Sequence, residues 1–135
     1  MTNNEPSNSE PMKTPAYTNG LRTRQEVMGT DFVTQALTRT SGSESEQLQH
    51  FITEHVWDGI WNRPGLDRRD RSLLNLGILT ALRAHDELRG HVRGSLNNGL
   101  TRAEITESII HTSGYCGAPA ALAAMRVAQE EFDKL

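Results

Sequence analysis

Between positions 73 and 82 the chain carries Leu73, Leu74, Leu76, Ile78, Leu79, Ala81 and Leu82, so seven of ten residues are apolar. At helical spacing these side chains cover almost the whole circumference, which predicts a central helix buried on nearly every side, with Asp67 as its N-cap. A helix of that kind needs other helices around it. No segment alternates with the period of a strand, and the expected class is therefore all-α.

The neighbouring segments supply those helices. Residues 20–28 predict a weak amphipathic helix ended by Gly29, and residues 31–37 a second short one with Thr30 or Asp31 as N-cap. Residues 38–45 are polar and contain Gly42, so they read as a loop. From Glu46 the residues Leu48, Phe51, Ile52, Val56 and Ile60 recur at helical spacing, with Trp57 and Trp61 four apart. This predicts one long helix to about Trp61, broken by Pro64 and Gly65. After the central helix, a break near Ala84-His85-Asp86 leads to a helix that ends at Asn97-Asn98-Gly99, where Asn and Gly suit a left-handed cap. Thr101 and Glu104 form a capping box for the next helix, and Pro119 opens a last, alanine-rich one running to Phe132. Six to seven helices result. Residues 1–16 hold three prolines and almost nothing apolar, so they are expected to be a disordered tail ahead of a single helical domain over residues 17–135.

Charge and cysteine content narrow the function. With 14 Lys plus Arg against 17 Asp plus Glu, the formal charge is −3, which favours neither nucleic acid nor an anionic membrane surface. There is one cysteine, Cys116, so neither an intrachain disulfide nor a Cys-x-x-Cys site is available, and a cytoplasmic location is expected. No apolar run approaches the roughly 20 residues of a membrane helix. Only 36% of residues are hydrophobic, little for a self-contained small domain, and this favours a homo-oligomer that covers apolar faces.

The candidate chemistry is carried by Glu87 and His91, four apart and so on one face of a helix. On spacing alone such a pair reads as an exposed ion pair of a few tenths of a kcal/mol; in a pocket it is a proton-handling couple. His50, His55, His85 and His111 match no recognised ligand spacing, so no metal is expected, although His111 can reach a pocket through the Tyr115 side of its helix. Arg63, Arg68, Arg69 and Arg71 crowd a helix start, where positive charge opposes the macrodipole; a small anionic ligand is one reason for the placement.

Six stretches, taken in order, resemble the carboxymuconolactone decarboxylase family. They are Arg24-Gln25-Glu26-Val27-Met28-Gly29, the run from Trp57 to Leu66, the run from Arg71 to Leu76, Glu87-Leu88-Arg89-Gly90-His91-Val92-Arg93-Gly94, Asn98-Gly99-Leu100-Thr101, and the run from Tyr115 to Ala120. The resemblance implies the all-helical fold of alkyl hydroperoxidase D and assembly into a homo-oligomer, a hexamer or a trimer. In the redox branch of that fold two cysteines precede a histidine on one helix. If His91 takes the histidine position, Ala84 and Glu87 stand where the cysteines would be, and thiol peroxidase chemistry is not expected.

What the resemblance implies instead is decarboxylation of 4-carboxymuconolactone to the enol-lactone of 3-oxoadipate, in the protocatechuate branch of aromatic breakdown. That reaction needs no cofactor, because the electron pair left by carbon dioxide spreads into the lactone. His91 is then the proton donor or oxyanion stabiliser, and Glu87 the partner that holds and charges it. Arg63, Arg71 and Arg93 are clamp candidates for the substrate carboxylates, and Trp57 or Trp61 an apolar wall, with Tyr115 and His111 as further lining. Two other readings stand beside it. One is an isomerase, cyclase or dehydratase acting on another lactone or enol; the other is a non-catalytic oligomeric helical protein.

Overall fold

The computed structural model describes residues 12–135. Among them are seven α-helices and no strand: α1 Pro15–Met28, α2 Thr30–Thr40, α3 Ser45–Ile52, α4 Arg68–Leu82, α5 His85–Asn97, α6 Arg102–Cys116 and α7 Ala118–Phe132. The all-α expectation and the helix count both hold. Internal contacts divide the chain into two compact units. One comprises the residues up to Gln25 with Thr30–Arg63, the other Glu26–Gly29 with Pro64–Leu135.

In the first unit, α1 begins earlier than composition suggested. Residues 1–11 of the expected tail lie outside the described residues, but Pro15 and Ala16, assigned to that tail, open the helix. Thr14 is the reason: its Oγ1 accepts the Tyr17 backbone N–H at 3.1 Å, and proline at the first position gives up a hydrogen bond the helix would not have made. Further along, a side chain on Gly20 would run into the Thr53 carbonyl, so only glycine lets these two backbones approach so closely. Beside that contact, Thr23 Oγ1 donates to Asn62 Oδ1 at 2.7 Å, and the buried Arg24 donates to Thr53 Oγ1 at 3.2 Å.

The single long helix expected from Glu46 to Trp61 is not continuous. After Ile52 the backbone widens into a π-helical turn over Thr53–Asp58. Thr53 returns its hydroxyl proton to the Gln49 carbonyl at 2.8 Å, and Gly59 N–H reaches Glu54 O at 3.0 Å, a five-residue step. The widening shifts the phase of everything after it, and the buried rings of Trp57 and Trp61 end up stacked, with centroids 5.0 Å apart.

In the second unit, the local signals act as read. Asp67 Oδ1 accepts the Asp70 N–H at 2.8 Å, and the Thr101–Glu104 capping box closes at 3.0 and 3.1 Å. Gly29 and Gly99 take φ of +96° and +95° where the helices before them stop. The core lies among α4, α5, α6 and α7, around Leu76, Leu88, Val92, Ile105, Ile109, Val127 and Phe132, with the small Ala121, Ala124 and Ala128 allowing α7 to approach its neighbours. On α5, Gly94 does the same for the end of α1, since a Cβ there would sit 3.3 Å from both Val27 and Met28.

Helix α4 departs from expectation. It is buried on one stripe only, through Ser72, Leu76 and Thr80, and two of these three are hydroxyls that find polar partners: Thr80 donates to Leu76 O at 2.7 Å, and Ser72 accepts from Asn98 Nδ2 at 2.8 Å. Leu76 enters the core, but Leu74 is 56% exposed and Leu82 70%, so much of the apolar circumference of α4 is a face left uncovered within one chain.

A charged group sits at the α5–α7 seam. Glu131 is 2% exposed, yet it meets Arg89 at 3.5 Å, Arg93 at 3.6 Å and Lys134 at 2.8 Å. A buried carboxylate survives only if paired in this way. Replacing Glu131 by Gln keeps the shape and removes the charge, so stability measured by urea denaturation should fall by about 2 kcal/mol, the scale of charge-assisted hydrogen bonds. An unchanged midpoint would show that the three cations contribute nothing through this carboxylate.

Candidate functional site

Helix α5 turns one side to the core through Leu88, Gly90, Val92, Gly94 and Ser95. His91 is half-buried between these, with its Nδ1 closed off from solvent, while Glu87 is exposed one turn earlier. The helix is held at this point by Ser95, whose hydroxyl donates to the His91 carbonyl at 2.6 Å.

Burial governs the imidazole. It pushes His91 down from 6.5 to about 4, against the opposing pull of the Glu87 carboxylate. Glu87 was expected to charge His91, and its influence has that sign, but desolvation outweighs it and the ring is neutral at pH 7. A neutral imidazole accepts a proton at one nitrogen and donates a hydrogen bond from the other, so the site is set to take up a proton and pass it on.

The arginines of the expected clamp divide by location. Arg93 shares the buried Glu131 carboxylate with Arg89, which ties it to the α5–α7 seam. Of the cluster at the start of α4, Arg68 pairs with Glu26 at 2.7 Å and Arg69 pairs with Glu104. These two pairs account for positive charge at a helix start without any ligand. Arg71 is half-buried on the first turn of α4, and Arg63 is exposed in the first unit, which also holds the stacked Trp57 and Trp61.

His111 and Tyr115 come together as a tilted ring pair with centroids 5.1 Å apart, but both are on the exposed side of α6, Tyr115 being 83% exposed. Cys116 is half-buried at the end of the same helix. A second His–carboxylate pair escaped the sequence reading. His50 Nε2 pairs with Glu54 one turn later, at the same four-residue spacing as Glu87 and His91, and that spacing was the available signal.

Acid should expose the cost of keeping His91 neutral. The unfolded chain takes up this proton near 6.5 and the folded one only near about 4, so His91 weakens folding progressively as pH falls through that window. The full effect is on the order of 3 kcal/mol. Denaturation of wild type and His91→Gln at several pH values measures it: stability of the wild type should drop more steeply between pH 6.5 and 4. Parallel curves would mean that the ring is not desolvated.

Comparison with known proteins places the chain. The carboxymuconolactone decarboxylase family model matches residues 46–130, and the chain belongs to that family. It is 43% identical over 119 residues to the 4-carboxymuconolactone decarboxylase of Acinetobacter baylyi, covering 88% of each chain. It is also 40% identical over 119 residues to the nitrosuccinic acid decarboxylase npaB of Metarhizium robertsii, covering 88% of this chain and 82% of that one.

Proposed function

We propose that this member of the carboxymuconolactone decarboxylase family is a decarboxylase of a small di-acid, with 4-carboxymuconolactone as its first candidate substrate, and that it acts without a cofactor. The observation that carries the reading is the desolvated, neutral imidazole of His91 beside Glu87, within the segment shared with relatives that are named as decarboxylases.

The names of those relatives suggest what the substrates have in common. In 4-carboxymuconolactone the departing carboxylate sits on a ring carbon that a double bond links to the lactone carbonyl; in nitrosuccinic acid a nitro group stands on the carbon that bears it. Each offers a sink for the electron pair that carbon dioxide leaves behind. The C–C bond breaks, carbon dioxide departs, the pair moves into the sink, and a proton then restores a neutral carbon. In the lactone that carbon is the one beside the carbonyl.

His91 is the group we assign to that proton. Bringing a dianionic substrate next to a neutral imidazole raises its proton affinity, because negative charge favours the cation and offsets the penalty of burial. The proton is taken up as substrate binds and delivered to carbon after carbon dioxide leaves. Glu87, on the same face one turn away, adds a smaller push in the same direction. Arg71, half-buried on the first turn of α4, is proposed to hold a substrate carboxylate.

Replacing His91 by Ala should lower turnover by at least about 100-fold, the scale of a positioned acid or base. Carbon dioxide release and product mass, followed with 4-carboxymuconolactone and with nitrosuccinic acid, measure both activity and preference. Equal turnover by wild type and variant would remove His91 from the mechanism, and no carbon dioxide from either acid would reject the substrate class.

The uncovered apolar side chains on α4, with Ile110 on α6 and Leu122 on α7, support a further part of the proposal: the chain forms a homo-oligomer, a trimer or a hexamer. Sedimentation of the full chain at micromolar concentration should give three or six times the mass of one chain. A monomeric mass would reject it.

A further inference from the structure

Two ionisable side chains are buried among the described residues, and their surroundings treat them in opposite ways. Glu131, 2% exposed, is met by Arg89, Arg93 and Lys134. Arg24, 8% exposed, is met by no carboxylate among the described residues; its hydrogen bond there is to the Thr53 hydroxyl, which accepts from Nη1 at 3.2 Å. A buried charge without a counter-charge costs free energy, and a guanidinium cannot escape that cost by giving up its proton near neutral pH.

The group that favours the charge of Arg24 is Tyr17, two turns earlier on the same face of α1. Its influence is small. Burial pushes the Tyr17 hydroxyl above its usual range, with Arg24 opposing the rise and Glu46 adding to it, so the phenol is neutral at pH 7 and cannot serve as a counter-ion. The Tyr17 ring stacks on His50 with centroids 4.5 Å apart, and both residues line a cavity of about 350 Å³ bounded by α1, α2 and α3.

The backbone fixes where the guanidinium lies. Gly20, one turn before Arg24, brings α1 against the Thr53 carbonyl, and the π-helical turn, a feature frequent at functional sites, begins at Thr53. The Thr53 hydroxyl gives its own proton to the Gln49 carbonyl at 2.8 Å, so toward Arg24 it acts only as an acceptor. That bond occupies Nη1. Neither Nε nor Nη2 makes a hydrogen bond among the described residues, and neither is closed off from solvent, whereas Nε of Arg71 is. Nε–H and one N–H of Nη2 run parallel along one edge of the planar group, a fork that matches the two oxygens of a carboxylate.

We propose that Arg24 is a carboxylate receptor, which holds a small organic acid side-on through Nε and Nη2 while Thr53 holds Nη1. The receptor is built from residues of the first unit, no chemical step is assigned to it, and it does not rest on the decarboxylase reading.

Calorimetric titration of the full chain at constant ionic strength tests the proposal with succinate, butyrate and benzoate. Succinamide, butyramide and benzamide are the neutral controls, and inorganic phosphate is the other anion. At least one acid should bind saturably, and at least about tenfold more tightly than its amide and than phosphate. Arg24→Lys keeps the charge but loses the fork, so it should weaken binding by at least about tenfold. Arg24→Met removes the charge and should abolish binding. Thr53 keeps its bond to Gln49 in that variant, so the melting temperature without acid should not fall, which separates loss of the receptor from loss of the fold. Arg71→Met should bind the acid as wild type does, which tells failure of the receptor from failure of the site proposed for the reaction. Absence of saturable binding by all three acids, equal binding of the matching amide or of phosphate, or wild-type affinity in Arg24→Lys would overturn the proposal.

Discussion

A carboxylate buried at the seam of α5 and α7 has to be neutralised, and Arg89 and Arg93 of α5 share that work with Lys134. The two arginines are four residues apart and therefore point to one side of α5. His91 lies two residues from each, about 200° around the same helix. Fixing the arginine side against Glu131 fixes the rotation of α5, and with it the direction in which the imidazole points. Leu88 and Val92, fully buried, hold the same rotation by packing. The charge pairing and the core thus agree on one orientation.

That orientation determines the chemistry of His91. A histidine at the usual affinity would be divided between its two forms near neutral pH and would do little in either. Desolvation holds this one neutral until negative charge arrives. The substrate of the proposed reaction brings such charge, so the form needed for the last step is produced by binding and not carried beforehand. Nothing else in the reaction requires a strong acid, because the electron sink belongs to the substrate.

The two units handle polarity differently. The second is an apolar core with one carboxylate inside it, and α4 keeps a row of leucines and isoleucine at its surface. The first is joined by side-chain hydrogen bonds among Thr14, Thr23, Arg24, Thr53, Glu54 and Asn62, and its cavity is lined by groups that can still accept or donate. Its π-helical turn over Thr53–Asp58 interrupts the helix expected from Glu46, and the two tryptophans, four residues apart, stack at its end.

Helix ends were legible from the residues alone, because a cap acts within one turn: Asp67, Thr101 with Glu104, Gly29 and Gly99 behave as their types require. The family could be read as well, since its motifs are short and local, and the sequence by itself therefore determined the helical class and the family. It overstated the burial of α4, whose apolar circumference looks the same whether another part of the chain or nothing at all covers it. Only the tertiary structure decided that His91 is neutral, that Arg93 is shared with Glu131, and that His50 meets Glu54 beside a cavity. Desolvation sums over everything that surrounds a group, and partners such as Arg93 and Glu131 are 38 positions apart along the chain. No local pattern carries that information.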